Sequence, residues 1–557
     1  MKNTRHKCYP IQLLMFCSLA LFLVNAFCAP SLSYTIKKLP LNRLQVTLTF
    51  IGSKTGKTAI LLPNEWGEKK QLYQRIDKLE VSQKNVTLQN TIDPAKKIIL
   101  HHPEQLVTLQ YELKQRFLGK TKKTDEAFEP NIKNDLFFFI GSQGLIIPNL
   151  NKDIALKVAF KWHIPNDWKI ANSYGMNHKN QITYSTIREL NDALFIAGHI
   201  QLKEIKYKNT HFWTATIGTF STLDLKNYFQ ICAKLIDFQQ NFWNDPNRYH
   251  LLAFISLNSN QESFRGAGLY RSFMLALPQN ATLQTEFGLS WLAAHELFHA
   301  WNRPDLFLIT PSHQESSIYW LSEGITDYYA FESLLKTNIY SFEEYIDAYN
   351  NVLREYYTSP VRNYTNQEIE QYFWINDDVN KLPYQRGNIL AHQWNAKIIQ
   401  QSHGQYSLDN FIRAIQPTHP KEQYSLNTIE AISKKYLSMG IKKDINRYID
   451  DGELITPDPN SFGSRAKLIF KKEKIHANVF PIKFDPKTHL VTFILKNSQA
   501  EKSGLKIGDK IISFDYMNNE ATYPVTIIVD DGKLQKTIRY FSEKEKYIQV
   551  PQFVVNK

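Results

Sequence analysis

The sequence predicts a multidomain chain in which an N-terminal all-β domain and a C-terminal β domain flank a mostly helical middle. Three observations carry this. The 557 residues are 43% hydrophobic, enough for several buried cores. Apolar and polar residues alternate with period two in the first third of the chain, and strand-and-turn character returns past Pro457. Between Leu223 and Ile449 the spacing changes to that of helices.

Residues 1–28 begin with Lys2, Arg5 and Lys7 and continue as an apolar run from Ile11 to Phe27. This is the pattern of a secretory signal peptide cleaved near Cys28, with a retained membrane helix as the alternative. It implies an exported protein, periplasmic or secreted, with no stable transmembrane anchor after cleavage. Cys8, Cys17 and Cys28 lie in or at the edge of this segment, so Cys232 is the one cysteine well inside the mature chain, and no disulfide framework is expected.

Residues 30–170 read as a β-sandwich-like domain. Tyr34–Ile36, Leu44–Phe50 and Val107–Lys114 alternate as half-buried strands do, and Asn, Gly, Pro and Lys clusters separate them. Residues 171–450 open with strand-like Leu194–Gly198 and His211–Ile217. Helices are then expected over Tyr228–Trp243, Ser290–Trp301 with Ser290 as cap, Ser322–Leu335, Arg386–Ile399 and Leu408–Ile415. Pro311, Pro360 and Pro383 mark expected breaks. A linker rich in Pro, Asn, Ser and Gly precedes residues 460–557. There a short helix at Ala500–Ser503, a stop at Gly504, a turn at Gly508–Asp509 and a strand at Lys510–Phe514 are expected.

The net charge of +13 is spread over the chain without a long basic block, so no nucleic-acid partner is inferred.

The chemistry concentrates in Trp291–Trp301 and Trp320–Tyr329. The first holds His295, Glu296 and His299 as an HExxH motif. Residues four apart share a helix face, so the two imidazoles can reach one Zn²⁺ while Glu296 reaches the water that zinc activates. Glu323 on a second helix is the best third ligand. Asp327, four residues on, can accept a hydrogen bond from a liganding histidine and fix its tautomer. One zinc per chain and a hydrolytic role follow, with Glu296 as general base.

These segments resemble the glycyl aminopeptidase family of zinc metallopeptidases, the M61 peptidases. His295–Asn302 matches the family's HExxHxWN segment, and Trp320–Tyr329 its glutamate-ligand segment. Tyr384-Gln-Arg-Gly387 is similar to the Tyr-x-(Lys/Arg)-Gly segment whose tyrosine stabilises the transition state in related aminopeptidases. The resemblance implies a thermolysin-like α+β, mostly helical catalytic domain over 171–450. It also implies a PDZ-like domain over 460–557, resting on Ala500–Phe514, and an N-terminal β-domain signature at Leu62–Gly67. It implies peptide or protein substrates and a preference for N-terminal Gly or Ala. A peptide ligand of the PDZ-like domain is a further expected partner.

Two departures stand out. Arg303-Pro304-Asp305 replaces the family's basic segment. Where the family carries Gly-Gly-Leu-Glu-His on the strand lining its cleft, this chain has Gly266-Ala-Gly268-Leu-Tyr270-Arg271, so Tyr270 replaces the amine-binding glutamate. Glu262 is a nearby substitute for it, and Gly268, Tyr270 and Arg271 are the expected substrate-binding positions. This leaves open an endopeptidase, another amide hydrolase, or a non-catalytic peptide-binding protein acting through its PDZ-like domain.

Overall fold

The computed structural model describes residues 31–67, 69–115, 129–150, 154–246, 249–257, 265–280, 288–303, 306–307, 315–374, 376–416, 423–477, 482–485, 488–516, 523–541 and 543–556. The expected signal peptide, Glu262, Pro311 and the Pro304-Asp305 pair lie outside them. β-sheet regions toward both ends flank a middle rich in long helices. The chain divides into two compact units. One takes the chain up to Ile205 with His211–Ser221 and Tyr249–Ala281, and the other takes Lys206–Thr210, Thr222–Arg248 and Thr282–Lys557.

Among the described residues the first unit holds one six-stranded sheet, two five-stranded sheets, a four-stranded sheet of Lys57–Leu61, Thr87–Asn90, Lys96–Leu100 and Ile147–Pro148, and a two-stranded pair. In the six-stranded sheet, Ser31–Leu39 lies between Arg43–Ile51, antiparallel, and Leu156–His163, parallel. Leu44, Val46, Leu48 and Phe50 are buried while the residues between them are not, as alternation requires. The second sheet centres on Leu136–Ile140 and Leu194–Gly198. The run Leu136-Phe-Phe-Phe-Ile140 is covered on both faces: Phe137 and Phe139 enter the core of the first sheet, and Phe138 and Ile140 enter the core of the third. Buried tyrosines bond backbone carbonyls, Tyr34 to Ile146 at 3.0 Å and Tyr111 to Gly144 at 2.9 Å.

The third sheet runs Gln201–Tyr207, Thr210–Ile217, Leu251–Leu257, Ser272–Pro278 and Arg265–Leu269, the last an antiparallel edge strand. Gly268 is exposed on that strand. The strand ends at Leu269, before Tyr270 and Arg271. These two form the turn into Ser272–Pro278, with Arg271 at φ 47°. The Tyr270 ring lies 5.6 Å from that of Tyr174, and its N–H donates to the Asp192 carbonyl at 3.0 Å. Two residues expected in a strand are thus held at a corner of this unit.

The helices of the second unit include α1 (Leu225–Trp243), α2 (Gly288–Phe298), α3 (Tyr319–Ser322), α4 (Gly324–Lys336), α5 (Phe342–Thr358), α6 (Asn366–Tyr372) and α7 (Asp377–Gln401), followed by the expected helix at Leu408–Ala414. Side chains close their first turns: Asp224 accepts from Asn227 N–H, and Ser341/Glu344 and Thr365/Glu368 form capping boxes. Ser290 is not a cap, because α2 already begins at Gly288 and Ser290 is buried within it. Pro383 is not a break either. It lies inside α7, whose packing overrides the roughly 3 kcal/mol that an interior proline costs. Trp320, Trp394, Tyr329, Tyr345 and Phe298 share one large core, which Phe553 and Val550 join.

The strands Ala466–Ala477 and Glu543–Val555 pair antiparallel, and Asn350 of α5 exchanges two hydrogen bonds with Phe553. The rest of the C-terminal region has its own small core of Ile482, Phe484, Val491, Leu505, Ile527 and Val529. Its short helix is Gln499–Lys502, capped by Ser498, and its expected strand is Lys510–Asp515. Among the described residues no helix is long and apolar enough to cross a membrane.

Candidate metal centre

Helix α2 carries His295, and His299 follows at its end. Buried Leu289, Ala293, Ala294, Leu297 and Phe298 seat this helix. Its register is fixed from outside. Tyr228 donates to the Leu289 carbonyl at 2.7 Å, and buried Gln239 donates to the Ala294 carbonyl at 2.8 Å. Glu323 sits at the junction of α3 and α4. Its N–H bonds the Tyr319 carbonyl at 2.7 Å, and Asp327 N–H bonds the Glu323 carbonyl at 2.8 Å. The two carboxylates are therefore stacked one helical turn apart, facing α2.

His295, His299 and Glu323 form a cluster of metal-ligating side chains. His295 Nε2 and His299 Nε2 lie 3.0 Å apart, and Glu323 Oε2 is 3.2 Å from the first and 3.1 Å from the second. Ligands 2.0–2.1 Å from a tetrahedral zinc stand roughly 3.3 Å apart, so the triangle has the right size. The opposite ring nitrogens are already engaged. His299 Nδ1 is 2.9 Å from the Asn302 carbonyl, which can only accept, so Nδ1 carries the proton. His295 Nδ1 is 2.8 Å from Asp327 Oδ1, which selects the same tautomer. Two imidazole lone pairs and a carboxylate oxygen then converge on one point, an arrangement that fits a cation.

Protons answer the same demand for positive charge. Burial opposes the charged form of His295, yet bonds to Asp327 and Glu323 raise its pKa to about 10. Burial likewise opposes ionisation of Glu323, but the two imidazoles hold its carboxyl below the usual range. Glu296 is half-buried on α2, and its charge acts on both His299 and Tyr384. Tyr384, on α7, stacks its ring 5.8 Å from His295 at 22°. Desolvation, then the carboxylates of Glu323, Asp327 and Glu296, push its hydroxyl well above the ordinary value, so it stays a donor.

The structure thus brings His295, His299, Glu323, Asp327, Glu296 and Tyr384 together within the second unit. Gly268, Tyr270 and Arg271 belong to the first unit.

Three supporting features were not read from the sequence. The two N–H groups of buried Asn302 Nδ2 are shared among three acceptors, the carbonyls of Leu321 and Ser322, both at 3.1 Å, and Thr326 Oγ1 at 3.0 Å. One residue therefore holds the backbone before Glu323 and orients His299. Gly324 and Gly387 let α4 and α7 touch: a Cβ on Gly387 would stand 1.9 Å from the Trp320 carbonyl oxygen. The Trp291 ring lies 5.4 Å from that of His295. The expected outcome of Asp327→Asn is a 10–100-fold loss of zinc affinity with the fold retained, read by competition with a chelating dye.

Residues 289–381 match the model of a family described as M61 glycyl aminopeptidase. Among solved structures, an aminopeptidase N family protein from Idiomarina loihiensis is similar, with a TM-score of 0.69 at 16% identity over 94% of this chain and 98% of that one. An M1 zinc metallopeptidase from Deinococcus radiodurans aligns with a TM-score of 0.46 at 13% identity over 77% of this chain and 95% of that one. No curated protein matches the sequence. The metal-binding cluster inside the family-matched segment supports an enzyme of the metallopeptidase class.

Proposed function

We propose that this chain is an exported zinc aminopeptidase that removes small N-terminal residues, Gly or Ala, from peptides. The observation that carries the reading is the convergence of His295, His299 and Glu323 with both Nδ1 atoms committed elsewhere, inside a segment matching a peptidase family. Zinc held by these three residues supplies Lewis acidity toward a scissile carbonyl and toward water. Glu296, as a carboxylate beside His295, takes the proton of the attacking water and delivers it to the leaving amine. Tyr384, held protonated, donates to the oxygen that becomes negative as the carbonyl turns tetrahedral. Asp327 and Asn302 keep the imidazoles in the tautomer that leaves Nε2 unprotonated. The 460–557 region is assigned a supporting role in peptide binding, as its resemblance to a PDZ domain suggests.

A specific observation favours a second reading. Tyr270 is tied to Tyr174 and Asp192, and it supplies no carboxylate for a substrate ammonium. An endopeptidase has no need of that carboxylate. The test is a peptide panel with free and acetylated N-termini. Cleavage of Gly- and Ala-peptides that acetylation reduces at least tenfold supports the aminopeptidase. Internal cleavage of acetylated peptides at equal rate makes it an endopeptidase, and cleavage of neither removes the peptidase reading.

A further inference from the structure

The second unit holds a cavity of about 310 Å³ that the metal cluster does not use. Small-molecule pockets run roughly 300–1,000 Å³, so this one suits an occupant of amino-acid size. Helices α5 and α7 and the strand Ala466–Ala477 each contribute walls. Arg354, Lys381 and Lys474 bring positive charge, and Glu355, Asp378 and Glu473 bring negative charge. Lys381 and Glu355 pair with each other at 3.6 Å, and Tyr516 donates to Asp378. Arg354 bonds the amide oxygen of Asn351, and its guanidinium is suited to a carboxylate.

The second observation is Gln385. It lines the cavity at 6% exposure, and its side-chain oxygen Oε1, itself covered, meets no hydrogen-bond partner among the described residues. A buried acceptor left unpaired is unfavourable, and a turn of the amide toward the cavity, onto the N–H donor of an occupant, relieves it. A lining of both charges with a buried acceptor matches a ligand that carries a carboxylate and an ammonium together.

We propose that this cavity binds a small zwitterion, a free amino acid or dipeptide, with Arg354 receiving the carboxylate and Gln385 with Glu473 receiving the ammonium. Gln385 directly follows Tyr384 on α7, so occupancy bears on the rotation of the helix that presents that hydroxyl. An amino acid released by a peptidase has this chemistry, which makes the cavity a seat for product control. That regulatory link rests on the peptidase reading, whereas the binding does not.

The test is titration calorimetry of L-alanine and L-alanyl-L-alanine into the full chain stripped of metal by chelation, so that no metal-dependent site competes. One saturable site is expected for at least one of the two. Arg354→Glu should weaken it at least tenfold, as should acetylating the amine or esterifying the carboxylate. Arg354 is exposed, and circular dichroism confirms that the variant folds. Lys474→Glu, on the strand Ala466–Ala477, gives a second charge reversal that does not touch α7. Absence of saturable binding overturns the proposal. So does binding indifferent to both charge reversals, or equal binding of the blocked ligands. A chain that binds alanine but cleaves no peptide refutes the peptidase reading and leaves this site standing.

Discussion

Glu296→Gln is expected to retain metal and lose turnover by about 10²–10⁴-fold, the range that general acid–base catalysis supplies. The substitution keeps size and shape and removes only the capacity to take a proton. Glu296 is half-buried on α2 and is not part of the ligand cluster, so zinc stoichiometry and the thermal midpoint should match the parent chain. Steady-state kinetics on a cleaved peptide, with metal analysis on the same sample, checks both halves. Full activity in the variant would sink the assigned base. Loss of metal would show that Glu296 supports the centre rather than the proton transfer.

Gly387→Ala is the second large effect. A methyl there meets the Trp320 carbonyl oxygen at 1.9 Å and Gly324 Cα at 2.7 Å, both backbone atoms that cannot rotate away. Helix α7 must move off the α3–α4 junction, at a cost of about 1–3 kcal/mol for overpacking. Glu323 precedes Gly324, and Tyr384 lies one turn before Gly387, so the shift separates hydroxyl from metal ligand. A displacement near 1 Å costs roughly 10²-fold in rate. A lowered melting temperature with a fall in kcat larger than the folded fraction explains is expected. A parent-like melt and parent-like turnover would show that the helix contact does not set the site.

The parts of this molecule written in local periodicity were legible. Leu44–Phe50 alternates and is a strand; His295 and His299 are four apart and share a face; Glu323 and Asp327 repeat that spacing and stack on the same side. What escaped was set by contacts distant in sequence or by backbone states without a residue signal. Pro383 reads as a break, but α7 continues because packing across Gly324 and around Trp394 outweighs one lost hydrogen bond. The Tyr270–Arg271 turn was missed because turns with positive φ are signalled by Gly or Asn, and here Arg271 adopts it. Asn302 was visible as a residue. The contacts of its Nδ2 depend on where residues 321–326 fold back against it.

His295, His299 and Glu323 are proposed to hold one zinc on which peptide hydrolysis depends. The measurement closest to this proposal is titration of zinc into the chelator-stripped chain, following peptide cleavage and bound metal together. One equivalent of zinc should restore activity in proportion to occupancy, and His299→Ala should abolish both. Peptide cleavage that survives complete metal removal, or zinc binding unaffected by His299→Ala, would contradict it.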